Sequence, residues 1–268
     1  MVISEKIGFI GTGKMGEALI NAIIKKGVST PQNISASDKM NERLEYIKRE
    51  TDINIFYNNV DVVKNSEIIF LSVKPQDFKI VLPEIKDYIT SDKLIISIAA
   101  GIKTEYIENI IRKCKVIRVM PNTPCQVGEM AGGFCAGKYA GKKEIQTAYD
   151  LLSSAGKVFF MKEEQLDAIT GLSGSGPAFV SYIIGSFIDA GKELGIEDNI
   201  SKELTLQTFS GTAKLLQEYD LSPEELIKMV KSPGGTTEAG MEIITELKDI
   251  IIRTIKKAAE RSKELGED

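Results

Sequence analysis

From residue 7 to residue 16 the chain reads Ile-Gly-Phe-Ile-Gly-Thr-Gly-Lys-Met-Gly, a short apolar run followed by Gly11, Gly13 and Gly16. Glycines at that spacing suit a dinucleotide. Gly11 permits a tight turn, Gly13 lets the backbone approach a pyrophosphate, and Gly16 lets the next helix lie close against the strand. The unpaired amides and the dipole at that helix's N-terminus favour a diphosphate. The context fits, since Ile7, Phe9 and Ile10 read as a buried strand and Ala18, Leu19, Ala22 and Ile23 as the apolar side of a helix. Two further glycine-rich stretches lie downstream, Gly171-Leu-Ser-Gly-Ser-Gly-Pro-Ala178 and Lys231-Ser-Pro-Gly-Gly-Thr-Thr-Glu238. In the second, Pro233 and two glycines stop one helix, and Thr236 or Thr237 begins the next, which is all that a plain helix connection requires. The same unpaired amides beside two hydroxyls can also hold a small carboxylate.

The chain has 268 residues and no histidine. A Ser-His-Asp or Cys-His hydrolase is excluded, as is a dehydrogenase that depends on an imidazole acid. Hydroxyls, backbone amides, lysines and carboxylates remain. With 34 basic and 38 acidic side chains the formal charge is -4, which argues against a nucleic-acid surface. Cys114, Cys125 and Cys135 are odd in number and show no C-x-x-C spacing, so neither a disulfide framework nor a zinc site is indicated, and three reduced thiols are expected. No metal is expected. No stretch approaches the ~20 apolar residues of a membrane span, and the first residues lead directly into a strand without a signal-peptide pattern. A cytoplasmic protein with no membrane partner is the expectation.

The elements that must position these stretches alternate over the first 160 or so residues. Strands are expected at 33–38, 53–56, 67–73, 94–100 and 115–120, with helices such as 42–49 and 104–111 between them. Strands separated this way need right-handed crossovers, giving an α/β, Rossmann-type doubly wound parallel sheet. Ligands bind such sheets at the carboxyl ends of the strands. That rule singles out Ser37-Asp38-Lys39, Val73-Lys74-Pro75-Gln76, Ala99-Ala100-Gly101 and Pro121-Asn122-Thr123-Pro124. At the first, Ser37 and Lys39 suit the ribose 2′-phosphate of NADP, whereas Asp38 suits the free ribose of NAD or caps the following helix. Two more strands, 130–137 and 157–161, flank a helix at 142–154.

Beyond Lys162 no strand pattern remains. Apolar residues recur at helical period over 178–194, 202–219, 223–230 and from 238 to the C-terminus, where residues 241–265 read as one helix or as two broken at Lys248-Asp249. Ser222-Pro-Glu-Glu225 is a capping box with proline at the first helical position. Two domains are expected, 1–162 for dinucleotide binding and 163–268 helical.

The fingerprint, Ser72-Val-Lys-Pro75, Ser97-Ile-Ala-Ala-Gly101, Met120-Pro-Asn-Thr-Pro124, Leu172-Ser-Gly-Ser-Gly-Pro-Ala178 and Ser232-Pro-Gly-Gly-Thr-Thr237 follow one another in an order and spacing that resembles the pyrroline-5-carboxylate reductases. The resemblance covers nearly the whole chain, and the last motif is that family's signature loop. Asp38 departs from the pattern, as does Glu238, which stands where an apolar residue is common in relatives.

The resemblance implies hydride transfer from NADPH, with NADH as the alternative, to the imine carbon of 1-pyrroline-5-carboxylate, giving proline. It also implies a helical domain through which two chains form a homodimer, often within a larger ring. Family cofactor contacts map onto Ile10, Gly11, Thr12, Gly13, Lys14, Met15, Ser37, Asn59, Val73, Lys74, Pro75 and Ala99; Gly16, Lys39, Ser72 and Asn122 complete the expected cofactor set. The substrate site maps onto Ser232, Gly234, Gly235, Thr236 and Thr237. Chemistry supports this account, because a donor approaching an imine nitrogen makes the carbon more electrophilic without a strong acid. Thr237 is the expected donor, with the substrate carboxylate on the amides of Gly235, Thr236 and Thr237. Lys74 is expected to contact cofactor rather than donate a proton, and Asn122, between two prolines, to fix a loop and line the pocket.

Two rivals can be set against this. A beta-hydroxyacid dehydrogenase needs a lysine along the helix after the 171–178 stretch, and here none occurs before Lys192. A non-catalytic nucleotide sensor would bind cofactor without turnover, and no extra interaction segment in the sequence supports it.

Overall fold

The computed structural model describes residues 2–266. It begins with β1 (Ile7–Ile10), α1 (Lys14–Lys25), β2 (Ile34–Ser37), α2 (Asn41–Thr51), β3 (Asn54–Ile55), α3 (Asn59–Lys64) and β4 (Ile68–Leu71). There follow α4 (Phe78–Ile85), β5 (Leu94–Ser97), α5 (Thr104–Ile110), β6 (Lys115–Met120), β7 (Met130–Ala136), α6 (Lys142–Leu152) and β8 (Gly156–Phe160). The eight strands form one sheet in the order β3-β2-β1-β4-β5-β6-β7-β8. The order reverses beside β1, which puts the fingerprint turn at the switch point where doubly wound sheets bind ligands.

Strands β1, β2, β4 and β5 are buried throughout, as expected of continuous apolar runs covered on both faces by helices. Alternation divides their side chains between two cores. Phe9, Phe70, Ile96 and Val119 pack on one face with Leu19, Leu44 and Leu151, whereas Ile10, Leu71, Ile95 and Val116 pack on the other with Val63, Leu82 and Ile107. Phe9 and Phe70 stack with ring centroids 4.5 Å apart.

The sheet is not parallel throughout. Strand β7 runs antiparallel to β6, and β8 runs parallel to β7. The connection 121–129 is too short for a crossover, so the chain must turn back on itself; α6 then supplies a normal crossover to β8.

After β8 come α7 (Leu166–Ile169), a π-helical turn at Thr170–Gly174, α8 (Gly176–Glu193), α9 (Asp198–Glu218), α10 (Pro223–Val230), α11 (Thr236–Ile244) and α12 (Leu247–Leu265). The glycine-rich stretch before α8 is therefore wound, with the Ser175 amide donating to the Thr170 carbonyl at 2.8 Å. Such π-turns often mark functional sites. The final helical stretch is two helices, broken at Thr245-Glu246 rather than at Lys248-Asp249.

Residues 1–175 and 256–268 make one compact unit, and Gly176–Ile255 a second. This division differs from the expected boundary at Lys162, because 163–175 pack on the first unit. Leu166 is fully buried there, and Asp167 accepts a hydrogen bond from Ser262 Oγ at 2.8 Å. Within the second unit, Ser201 Oγ donates to the Ile188 carbonyl at 2.8 Å, and Phe187 meets Phe209 edge to face at 5.1 Å. The Ser222 capping box forms as expected, the Glu225 amide donating to Ser222 Oγ and the Ser222 amide to Glu225 Oε2.

Candidate active site

Strand β1 ends in Gly11, whose φ of +96° favours glycine and whose amide donates to the Ser37 carbonyl at 2.8 Å. At Gly16 a Cβ would lie 2.6 Å from the Gly11 carbonyl oxygen, so the close approach of α1 to the turn requires glycine. The amides of Gly13, Lys14 and Met15 find no acceptor among the described residues. They are the donors a diphosphate would take.

Beside them lies a cavity of about 440 Å³, between the fingerprint turn and the end of β4. It brings together Ile10, Gly11, Gly13, Lys39, Asn59, Ser72, Val73 and Lys74 from the expected cofactor set. Among the described residues the buried Ser72 hydroxyl has no hydrogen-bond partner, and a Cβ at Gly13 would meet no atom within 4 Å. Free amides, an orphan hydroxyl and open space at the glycine fit a bound dinucleotide.

Other expected residues stand behind this lining. Thr12 is fully buried and holds Asp38, donating from its amide at 2.7 Å and its hydroxyl at 3.0 Å. The other Asp38 oxygen accepts from the Met40 amide at 3.0 Å, and Met40 rather than Asp38 is the N-cap of α2. Asp38 lines the cavity, but three protein donors already occupy its carboxylate. Ser37 Oγ likewise donates to Asn59 Oδ1 at 2.8 Å, and Asn59 Nδ2 to Glu84 at 2.7 Å. Lys39 remains largely exposed, its ammonium 3.3 Å from Asp77.

Pro75 lines a neighbouring cavity with Gln76, Gly101 and Tyr106, and Ala99 is buried. Asn122 does not line this cavity; it donates to the Ser173 carbonyl at 3.1 Å and accepts from the Ala131 amide at 2.9 Å, pinning the π-turn to the loop after β6.

The sequence reading missed Met40, Arg43, Asp77, Ile80, Val81 and Glu84 in the cavity wall. Four of these stand at i, i+3, i+4 and i+7 from Asp77, a helical stripe directly after the Val73-Lys74-Pro75 motif that could have found them. Arg43 donates from Nε to the Thr12 carbonyl at 2.6 Å, pairs with Glu17 and stacks on Tyr46. The fingerprint turn is thus held from outside by α2.

In the second unit the signature loop precedes α11, whose N-cap is Gly235. Gly234 has φ +68°, and a Cβ at Gly235 would collide with Ser232 Oγ. The Gly235 amide donates to the Ser232 carbonyl at 3.0 Å, which removes it from the three amides expected to receive a carboxylate. The amides of Thr236 and Thr237 find no acceptor among the described residues, and neither does the Thr237 hydroxyl.

The three cysteines are buried, and burial pushes the thiols of Cys114 and Cys125 up to about 11 and that of Cys135 to about 12. They stay protonated at neutral pH and offer no nucleophile. No group of metal-ligating side chains occurs among the described residues.

Residues 163–265 match a family profile described as pyrroline-5-carboxylate reductase dimerisation, and residues 6–101 match one described as NADP oxidoreductase coenzyme F420-dependent. A pyrroline-5-carboxylate reductase of Methanosarcina acetivorans is 40% identical, with 98% of each chain covered. Pyrroline-5-carboxylate reductase 2 of Bacillus subtilis is 37% identical over 98% of this chain and 96% of its own. Among solved structures, that of a Coxiella burnetii pyrroline-5-carboxylate reductase matches with a TM-score of 0.92 at 32% identity, covering 98% of this chain and 99% of that one. The Plasmodium falciparum pyrroline carboxylate reductase with NADP bound matches at 0.89 and 32% identity, covering 99% and 100%. With likeness of this extent joined to the free amides of the fingerprint and of the signature loop, the chain belongs to the pyrroline-5-carboxylate reductase family.

Proposed function

We infer that this chain reduces 1-pyrroline-5-carboxylate to L-proline, the last step of proline biosynthesis, with NADPH as donor and NADH as the alternative. The observation that carries this reading is the full-length likeness to the Methanosarcina acetivorans reductase, 40% identical over 266 residues. When bound, a reduced nicotinamide supplies the hydride.

The chain's own residues do the rest. The amides of Gly13, Lys14 and Met15 bind the diphosphate, and Ser72 and Lys74 donate to the cofactor's sugar nearest the reacting ring. Lys39 reads the ribose 2′-phosphate, since Ser37 and Asp38 are engaged with Asn59 and Thr12. In the signature loop Ser232, Gly234 and Gly235 shape the turn, the amides of Thr236 and Thr237 receive the substrate carboxylate, and the Thr237 hydroxyl donates to the imine nitrogen. Loss of one such donor costs about 3 kcal/mol in the barrier, so Thr237→Ala should fold normally and turn over roughly a hundredfold more slowly. Near-normal turnover would remove Thr237 from the mechanism.

The proposed assembly is a homodimer built through the helical region that the dimerisation profile matches, residues 163–265, with the cofactor on the unit that carries the fingerprint and a ring of dimers as the higher order. The proposed compartment is the cytoplasm, supported by three buried, protonated thiols. No described helix is long and apolar enough to cross a membrane.

The direct test follows absorbance of NADPH and of NADH in the presence of 1-pyrroline-5-carboxylate and purified protein. Oxidation of cofactor with stoichiometric proline is expected. Cofactor binding without consumption would overturn the reading in favour of a nucleotide sensor.

A further inference from the structure

Lys231 and Glu238 bracket the signature loop and are its only charged side chains. Glu238 Oε2 accepts from the Gly234 amide at 2.8 Å, while Oε1 lies 2.9 Å from Lys231 Nζ. The loop is thus closed on itself by a carboxylate that follows Thr237 directly. The Gly234 amide first, and then Lys231, hold that carboxyl below the ordinary carboxylate range, so it is ionised at neutral pH.

A fixed negative charge in this place opposes the binding of an anion by the neighbouring amides. The same group is useful mechanically, because it fixes Gly234 in its left-handed conformation. The two requirements conflict unless the charge is neutralised in place, and Lys231 does that.

We propose that the Lys231–Glu238 ion pair sets the affinity for the substrate carboxylate, with Glu238 holding the loop through Gly234 and Lys231 cancelling its charge. The inference rests on reading residues 232–237 as the substrate site. Both are positioning residues that act through the loop's backbone and field.

The test is initial-rate kinetics with 1-pyrroline-5-carboxylate and NADPH for Lys231→Met, Glu238→Gln and the double variant, with Thr237→Ala alongside. Lys231→Met should raise the substrate KM about two- to fivefold, the range in which exposed charge pairs act, with kcat and the NADPH KM unchanged. Glu238→Gln keeps an acceptor for the Gly234 amide but loses the charge, so the substrate KM should fall by a similar factor. The double variant should return close to the parent value. These shifts should shrink at about 1 M salt, where the screening length falls to about 3 Å.

A purely structural role would lower melting temperature and kcat instead, with no compensation and no salt dependence. Substrate KM values that stay fixed, or fail to compensate, overturn the proposal. If Thr237→Ala is hundredfold slower while those KM values stay fixed, the ion-pair inference alone fails; if Thr237→Ala is also normal, the substrate-site reading fails with it.

Discussion

The two compact units treat their apolar side chains in opposite ways. In the first, whole strands are buried and twin cores flank the sheet. In the second, α8, α10 and α11 bury no residue, and α9 buries only Ser201 and Thr205. Tyr182, Leu194 and Ile243 are 80%, 83% and 75% exposed, and Leu204, Met229 and Val230 are exposed as well. Apolar faces this extensive are rarely left in water by a stable protein. The profile that matches residues 163–265 describes dimerisation, so a second chain is the cover these faces call for. Helical periodicity alone marks a face as apolar without saying whether its own chain or another will cover it.

The largest expected effect breaks the contrast from the helical side. Leu204→Glu places a charge on the uncovered face and should abolish the dimer, read as a monomer in analytical ultracentrifugation; a surviving dimer would place Leu204 off the interface. Next, the self-contained core can be probed at Phe70, fully buried and stacked on Phe9. Phe70→Ala should destabilise by about 3–5 kcal/mol in urea denaturation, the range for buried phenylalanine. A loss well under that would mean that the first unit also depends on its neighbours. The smallest effect sharpens the site within the first unit. Lys39→Ala should raise the NADPH KM about fivefold and leave the NADH KM unchanged, as expected for one exposed charge pair. Equal changes with both cofactors would return ribose selection to Asp38.

Much of the fold was legible in the sequence. Each expected strand has its counterpart, with ends that coincide or shift by at most three residues, and the Ser222-Pro-Glu-Glu225 start of α10 falls where its capping chemistry puts it. These features are local. The return of β7 was hidden, since it depends on which strand edge a short connection can reach. The winding of Thr170–Gly174 into a π-turn was hidden as well, because its close packing on Met120 and the bond from Asn122 come from elsewhere in the chain.

The cofactor site divides along the same line. Glycine spacing in the fingerprint was readable, because a tight turn and a close helix impose steric limits on consecutive residues. The role of Asp38 was not, because its partner Thr12 lies 26 residues away and engages it only once β1 and β2 pair.

By itself, then, the sequence determined the alternating elements, the dinucleotide turn and the signature loop, since periodicity, capping and backbone sterics act over a few residues. Only the tertiary structure decided that Asp38 and Ser37 are spent on Thr12 and Asn59 while Lys39 stays largely exposed beside Asp77, and that one unit has a core while the other presents a surface. The physical reason is that hydrogen-bond partners and burial are properties of distances that close only when remote segments meet.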